Sequence, residues 1–156
     1  MKIHYIIVVF LSFKILMMLT LTRRERFNAA HKLYREDWTE EQNKEVFGKC
    51  ANKNWHGHNY ELFVTVKGEI NEKTGFIIDL KWLSGMLQEK IIEVLDHKNL
   101  NLDVPFLKGK MCSTEVLTVE IWNIIAEDIL GQGAELHSLK LMETENNYVE
   151  YYGPNA

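Results

Sequence analysis

The stretch HGHNYELFVTV, residues 56–66, decides the fold expected of this chain. In an extended strand every second side chain lies on the same face, and here one face carries Tyr60, Leu62, Val64 and Val66. The same alternation occurs upstream in Phe27, Ala29, His31 and Leu33. The two patterns predict a pair of half-buried β-strands over residues 21–34 and 56–70.

Helical periodicity follows the second strand. Asp79 can cap a helix that ends near Leu95, and the apolar positions of this helix recur at helical spacing as Leu80, Leu83, Leu87, Ile91 and Val94. A second helix is predicted from Thr114 to Gly131. A shorter helix is expected within residues 37–47, in the long loop between the first two strands.

The chain closes with two further predicted strands, residues 136–145 and 148–152, joined at Asn146-Asn147, a pair that tolerates the positive φ of a tight hairpin turn. The predicted order is β-β-α-α-β-β, an α+β fold with two helices on one face of a four-stranded antiparallel sheet. Such a sheet has two open edges, which must be charged or paired to avoid aggregation. Pairing with neighbouring subunits would make the protein an edge-to-edge oligomer.

Composition and charge narrow the class of protein. The 156 residues suit one domain, and contents of 46% hydrophobic and 26% charged residues are those of an ordinary globular protein. Lys and Arg number 18 against 22 Asp and Glu, a net charge of −4 without a basic block, so no nucleic-acid partner is expected. The two cysteines, Cys50 and Cys112, are too few for a disulfide scaffold and indicate a reducing, cytoplasmic setting.

The N-terminal segment differs from the rest of the chain. Residues 3–13 form an uncharged apolar run, but Lys14 interrupts it, and the run is shorter than the roughly 20 residues that a membrane-spanning helix needs. A signal peptide is the alternative, although no small-X-small cleavage site follows. Because two methionines directly precede the first strand, we interpret residues 1–17 as an extension from a misassigned start. Residues 18–156 are then the single domain, with no stable membrane span.

Two histidines, His56 and His58, project from the same face of the second strand and can converge on one metal ion. Such a pair alone is more often a half-buried hydrogen-bonding pair than a metal site. His31 strengthens the metal hypothesis because it faces inward on the strand expected to pair with this one. Three histidines leave one tetrahedral position open, as in catalytic zinc sites, and zinc is the default expectation for imidazole ligands.

Other reactive side chains surround this strand in the sequence. Cys50 precedes His56 by six residues, among polar and basic neighbours typical of a reactive thiol; the alternative is a small buried hydrophobe. Cys112 has no such neighbours and is interpreted as structural. Asp96 and His97 can form part of a proton-transfer pair, although adjacent side chains do not easily bond each other. The alternative is a turn-forming Asp with a histidine at a helix C-terminus.

Several ordered motifs resemble the 6-pyruvoyl-tetrahydropterin synthase family, which includes the 6-carboxytetrahydropterin synthases. The motifs are FGKC at 47–50, HGHNY at 56–60, LDHKNL at 95–100, STE at 113–115 and ETENN at 143–147. The resemblance covers about residues 22–153. It implies the tunnelling fold, in which subunits join edge to edge in trimers and two trimers stack as a homohexamer with active sites at subunit interfaces.

The resemblance also implies roles for individual residues. The implied zinc ligands are His31, His56 and His58. The implied catalytic residues are Cys50, as the proton-abstracting base, and Asp96 and His97, which complete a proton relay from an adjacent subunit. The implied substrate-binding residues are Glu143, Ser113, Thr114 and Glu115. Among these, Glu143 would anchor the pterin ring through its guanidine-like N–H groups, a bidentate role suited to a carboxylate.

The implied activity is that of a zinc-dependent lyase acting on 7,8-dihydroneopterin triphosphate. One product is 6-pyruvoyl-tetrahydropterin, formed with loss of triphosphate by a carbon–oxygen lyase of tetrahydrobiopterin synthesis. The alternative is 6-carboxytetrahydropterin of the queuosine pathway, formed by a carbon–carbon lyase that also releases acetaldehyde. Five residues separate Cys50 from His56, as in the pyruvoyl type, whereas the queuosine branch usually has three; we therefore favour the pyruvoyl product. A non-catalytic zinc and pterin-binding module is a third class, but it would not need Cys50, Asp96 or His97.

Overall fold

The computed structural model describes residues 18–154, which form one mixed sheet packed against helices. The strands are β1 (Leu19–His31), β2 (His56–Gly68), β3 (Lys98–Asn99), β4 (Glu135–Met142) and β5 (Tyr148–Tyr151). Their order in the sheet is β3-β1-β2-β4-β5. The β1–β2, β2–β4 and β4–β5 pairs are antiparallel, whereas β3 is parallel to β1. The interpretation of residues 1–17 as an extension falls outside the described residues.

Three of the four described α-helices begin directly after a residue whose side chain caps them. They are α1 (Glu40–Phe47), α2 (Leu80–Leu87), α3 (Glu93–Leu95) and α4 (Thr114–Gly131), with a π-helical turn, Gln88–Ile92, between α2 and α3. The Asp79 carboxylate accepts a hydrogen bond from the Lys81 backbone N–H at 2.7 Å, and the Ser113 hydroxyl accepts one from the Val116 N–H at 3.4 Å. Within residues 18–154, no helix has the length and apolar character needed to cross a membrane.

The apolar face of the sheet is buried beneath the helices. Tyr60, Leu62, Val64 and Val66 of β2 are at most 1% exposed. The α2 and α3 helices pack against β1, and α4 packs against β4 and β5. The predicted α+β class and the predicted inward face of the two long strands are therefore confirmed.

The predicted four-stranded antiparallel sheet is wrong in one respect, because the sheet has a fifth, parallel strand. The two residues of β3 lie beside Ala29 and Ala30 of β1. This strand is held by backbone hydrogen bonds from His97 N–H to the Asn28 carbonyl, at 2.6 Å, and from Leu100 N–H to the Ala30 carbonyl, at 2.8 Å. A two-residue strand has no alternating pattern, so no side-chain signal in the sequence could predict it.

The predicted tight turn at Asn146-Asn147 is also wrong. The strands end at Met142 and restart at Tyr148, and among the described non-glycine residues only Trp55 and His97 have positive φ. The Thr144 hydroxyl accepts hydrogen bonds from the backbone N–H groups of both asparagines, at 3.3 and 3.1 Å. The Thr144 hydroxyl thus satisfies the backbone N–H groups of the loop, and no residue with a left-handed conformation is needed. The loop has five residues, 143–147, and is therefore wider than a two-residue hairpin turn.

The helical pattern predicts Leu80 and Leu83 alike as core positions, but Leu83 is fully buried and Leu80 is 45% exposed. Replacing Leu83 by alanine should lower the free energy of unfolding by about 2–5 kcal/mol, because it leaves a cavity in the core. The matched substitution Leu80→Ala should change it by less than about 0.5 kcal/mol. Urea unfolding followed by circular dichroism measures both, and equal losses would contradict this assignment of the core.

Candidate functional site

Three histidines converge at one end of the β1–β2 pair. His31, the last residue of β1, lies directly opposite His56, the first residue of β2, and His58 follows on the same face. Their ring centroids are 4.5 to 5.2 Å apart. One nitrogen from each ring lies within 4.8 Å of the others, so the cluster can hold a metal ion.

The local backbone allows this convergence. Gly57 separates the two β2 histidines, and a Cβ at this position would lie 3.0 Å from the Ala29 carbonyl oxygen of β1. Glycine therefore lets the two strands approach closely between the ligand positions. Trp55, which directly precedes His56, has a φ of 66°. This value is uncommon for a non-glycine residue, and it occurs where the chain enters β2.

Hydrogen bonding leaves one ring nitrogen of each clustered histidine free to bind an ion. His31 Nδ1 donates to the Cys112 carbonyl oxygen at 2.7 Å; because a carbonyl can only accept, Nδ1 carries the proton and Nε2 keeps its lone pair. His31 Nε2, His56 Nδ1 and His58 Nε2 are buried, and none has a hydrogen-bond partner among the described residues. Buried polar atoms are rarely left unpaired, so three of them at one point fit a bound metal ion.

Electrostatics favour the neutral form of the three imidazoles. Burial is the largest influence on all three imidazoles and lowers the pKa of His31, His56 and His58 below the ordinary value. Each is therefore neutral near pH 7, the state in which imidazole binds metals. Because the rings are neutral, the approach of a Glu143 carboxylate oxygen to His31 Nε2, at 3.4 Å, and to His58 Nε2, at 3.6 Å, is not an ion pair.

Glu143 is held in place by α4. The Thr114 hydroxyl donates to Glu143 Oε1 at 3.0 Å, which links the first residue of α4 to the residue after β4. Ser113, expected beside Thr114 in the pocket, is the N-cap of α4. The predicted substrate anchor therefore stands directly beside the histidine cluster.

One cavity of about 440 Å³ collects most of the predicted site residues. Its wall includes His31, Cys50, Ser113, Thr114, Glu115 and Glu143. Cys50 is a free, partly exposed thiol on the 3₁₀ helix Gly48–Ala51, immediately after α1. The cavity brings a thiol, a fixed carboxylate and one of the three clustered histidines to one place, as acid–base chemistry on a small molecule requires.

Asp96 and His97 do not join this cavity within one chain. The Asp96 carboxylate contacts His97 Nδ1 at 2.8 Å and accepts from the Asn28 backbone N–H at 2.8 Å. The hydrogen bond from Asn28 is the largest influence lowering the Asp96 pKa, and His97 adds to it. The expectation that these neighbours do not easily bond each other is wrong, as the 2.8 Å contact shows. His97 has a positive φ of 57°. His97 is 78% exposed and lines another cavity, whose wall includes His58 but not Cys50 or Glu143.

Some site features were missed from the sequence. The Cys112 carbonyl fixes the His31 tautomer, and no pattern predicts which backbone carbonyl meets a side chain 81 residues away. Asn146 and Asn147 line the same cavity as Cys50 and Glu143, although the sequence places them in a hairpin turn. Their place in the ETENN motif, three and four residues after Glu143, was the available signal. The buried Tyr60 hydroxyl beside the histidines also lacks a hydrogen-bond partner among the described residues, and burial raises its pKa.

Comparisons with known proteins agree on one family. A family model described as 6-pyruvoyl tetrahydropterin synthase matches residues 20–154. The 6-pyruvoyl tetrahydrobiopterin synthase of Pongo abelii is 44% identical over 132 residues, 85% of this chain and 90% of its own length. That of Dictyostelium discoideum is 44% identical over 133 residues, 85% of this chain and 95% of its own length.

A solved structure supports the same relationship. The 6-pyruvoyl tetrahydropterin synthase of Caenorhabditis elegans has a TM-score of 0.78 and 31% identity, covering 88% of this chain and 97% of that one. A more distant relative is the 6-carboxy-5,6,7,8-tetrahydropterin synthase of Rickettsia typhi, 26% identical over 149 residues, 85% of this chain and 99% of its own length.

Replacing His56 by alanine tests the histidine cluster. We expect the unaltered protein to bind one Co²⁺ per chain, and His56→Ala to bind it more than about 100-fold more weakly, since even the loss of a group that only supports a ligand costs about 10–100-fold. The control is His137→Ala, because His137 lies on β4 in contact with Tyr152 and outside the cluster. Titration followed by visible absorption measures both, and wild-type binding by His56→Ala would refute the cluster.

Proposed function

Because this chain belongs to the 6-pyruvoyl tetrahydropterin synthase family, we propose that it converts 7,8-dihydroneopterin triphosphate to 6-pyruvoyl-tetrahydropterin with elimination of triphosphate. The family relationship supports a pterin synthase activity of the lyase type. The observation that carries the proposed chemistry is the cavity that Cys50, Glu143 and His31 line together. The proposed reaction needs three parts around one bound pterin: a base that takes a proton, a carboxylate that binds the ring, and a metal site.

Zinc is the cofactor in this proposal, with His31, His56 and His58 as its ligands. Their free, buried nitrogens fit such an ion. When bound, zinc supplies a Lewis acid that makes the hydroxyl-bearing side chain of the substrate more acidic. The hydrogen bond from His31 to the Cys112 carbonyl orients this ligand, as partners of metal-bound histidines commonly do.

Glu143 would bind the pterin ring. A carboxylate can accept two N–H groups of the ring side by side, which fixes both position and orientation. The Thr114 hydroxyl holds Oε1 of this carboxylate at 3.0 Å and so limits its rotation. Because the same oxygen is 3.4 to 3.6 Å from two histidine nitrogens, a ring bound here would place its side chain beside the metal ligands.

Cys50 would act as the base. Its thiolate would take a proton from the side-chain carbon that the neighbouring hydroxyl activates, and hydrogen would then be redistributed between side chain and ring as triphosphate leaves. The thiol is free and partly exposed to the cavity. A cytoplasmic location is part of the proposal, since a thiol base works only while reduced.

The Asp96–His97 pair would complete the proton relay in a neighbouring subunit. Within its own chain His97 lines a cavity that does not include Cys50, yet Asp96 holds the imidazole in one orientation. In the described part of the chain, β3 covers β1 only at Ala29 and Ala30, which leaves the rest of that strand edge open for pairing. We therefore propose the edge-to-edge homohexamer, with sites completed between subunits.

The sister reaction, giving 6-carboxytetrahydropterin and acetaldehyde, is the alternative. It is supported by the resemblance to the Rickettsia typhi protein, at 26% identity. The relatives at 44% identity are named for the pyruvoyl product, and the five residues between Cys50 and His56 point the same way.

Product analysis distinguishes the two reactions. Purified, zinc-loaded protein is incubated with 7,8-dihydroneopterin triphosphate, the pterin is identified by mass spectrometry, and acetaldehyde is assayed in parallel. We expect 6-pyruvoyl-tetrahydropterin and no acetaldehyde. A carboxy product with acetaldehyde would replace the proposal by the sister reaction, and recovery of unchanged substrate from metal-loaded protein would refute both.

Replacing Cys50 by alanine should lower kcat by about 10²–10⁴-fold, the usual contribution of a general base. Cys50→Ser should be similarly impaired, because a serine hydroxyl of nearly the same shape ionises far less readily than a thiol. Both variants should keep the wild-type Co²⁺ stoichiometry, since the thiol is not among the clustered ligands. Steady-state turnover with metal analysis provides the test, and unchanged kcat in Cys50→Ala would remove this thiol from the mechanism.

A further inference from the structure

The position of Cys50 depends on a short connector, residues 32–35, between β1 and α1. Its Leu33 N–H donates to the Cys50 carbonyl oxygen at 2.9 Å. The connector follows His31 directly, so this hydrogen bond ties the cysteine to the end of the strand that carries a candidate metal ligand. What holds the connector therefore also sets where the thiol stands relative to the histidine cluster.

Apolar packing contributes little to this region. No buried hydrophobic residue of the described core lies between Ala29 and Tyr60, although that interval contains the connector, α1 and Cys50. Val46 of α1 is 61% exposed, and stacking of Trp38 on Phe47 is a local aromatic contact. Polar contacts must therefore supply most of the order in this segment.

Asn43 supplies one set of these contacts. It is the only buried residue of α1 and is 0% exposed. Its Oδ1 accepts from the Arg35 backbone N–H at 2.7 Å, and its Nδ2 donates to the Arg35 carbonyl oxygen at 2.9 Å. The same amide nitrogen donates to the Thr39 carbonyl at 3.0 Å. One side chain thus joins α1, which leads directly into the Cys50 helix, to the far end of the connector.

Asn101 makes the equivalent contact at the near end. Its Oδ1 accepts from the Lys32 backbone N–H at 3.0 Å, and its Nδ2 donates to the Lys32 carbonyl oxygen at 3.1 Å. Each asparagine therefore pairs with both backbone groups of one connector residue, as a neighbouring β-strand would. Between the two, Leu33 bonds the backbone of Cys50.

We propose that Asn43 and Asn101 are positioning residues that hold the Cys50 thiol at the cavity that His31 and Glu143 also line, beside the histidine cluster. The assignment of Cys50 as the catalytic base rests on the proposed function, whereas its placement by the two asparagines rests on these hydrogen bonds. Both asparagines act through the backbone of the connector and neither is assigned a contact with substrate.

The test uses the full chain carrying Asn43→Ala or Asn101→Ala. Loss of the pairing should free the loop, so kcat should fall by about tenfold or more, as displacement of a reacting group by about 1 Å can cost up to about 100-fold. KM should change less than kcat. Alkylation of Cys50 by iodoacetamide, followed by peptide mass spectrometry, should become several-fold faster, while buried Cys112 stays unlabelled and Co²⁺ stoichiometry stays as in the unaltered protein.

The matched control is Asn71→Ala. Asn71 also uses its side chain to accept two backbone N–H groups, from Lys73 at 3.0 Å and Thr74 at 3.2 Å. It follows the end of β2 opposite to His56, so kcat and Cys50 alkylation should both stay at wild-type values. If Asn43→Ala does not fold, Asn101→Ala, at a partly exposed position, provides the same test.

Two results would overturn the positioning role. One is a folded variant with wild-type kcat and wild-type Cys50 alkylation. The other is parallel labelling of Cys112, which would show that the asparagines stabilise the whole domain rather than this loop. The alkylation rate does not depend on turnover, so if Cys50→Ala retains activity the proposed mechanism fails while the placement of the thiol is still decided separately.

Discussion

Thirteen residue pairs join β1 to β2, from Leu19 opposite Gly68 to His31 opposite His56. Because side chains alternate along a strand, a slip of one residue in either strand would turn its apolar face to solvent and its histidines away from the cluster. The same register that buries Leu62 and Val64 thus brings three imidazoles together. The burial of the core and the assembly of the candidate metal site are consequences of one strand pairing.

The cluster is completed by parts of the chain that are distant in sequence. The loop before α4 offers the Cys112 carbonyl to His31, and the first residue of α4 offers its hydroxyl to Glu143. Both hydrogen bonds lie at the end of the sheet where β1 ends and β2 begins. Because α4 packs on β4 and β5, the position of this helix sets the distance between the Glu143 carboxylate and the imidazoles. A rigid helix terminus is well suited to this task because its position is determined by the buried core.

The segment that carries Cys50 is held mainly by polar contacts rather than by apolar packing. It lies outside the hydrophobic core, and side-chain amides of two asparagines replace the strand partner that the connector lacks. Hydrogen bonds define position and direction more narrowly than apolar contacts, although each contributes only about 0.5–1.5 kcal/mol net. A thiol held in this way can have a well-defined position while the surrounding loop remains open to the cavity. The Asp96–His97 pair follows a third arrangement, ordered by its own chain but exposed.

Local patterns in the sequence determined much of this protein. The two-residue alternation predicted the buried faces of β1 and β2, and the cap at Asp79 predicted where α2 begins, because these signals depend on neighbours within a few residues. The motif with His56 and His58, together with the inward register of His31, was sufficient to predict three converging imidazoles.

Only the tertiary structure decided the features that depend on backbone groups or on residues far apart in sequence. The strand β3 forms because two backbone N–H groups reach β1, and the 143–147 loop is shaped by the Thr144 hydroxyl rather than by its asparagines. The His31 tautomer depends on a carbonyl 81 residues away, and Asn43, in a polar helix, is buried by the connector. The pattern of side chains along a sequence does not indicate which backbone atoms will come into contact across the fold. These features could not be predicted for this physical reason.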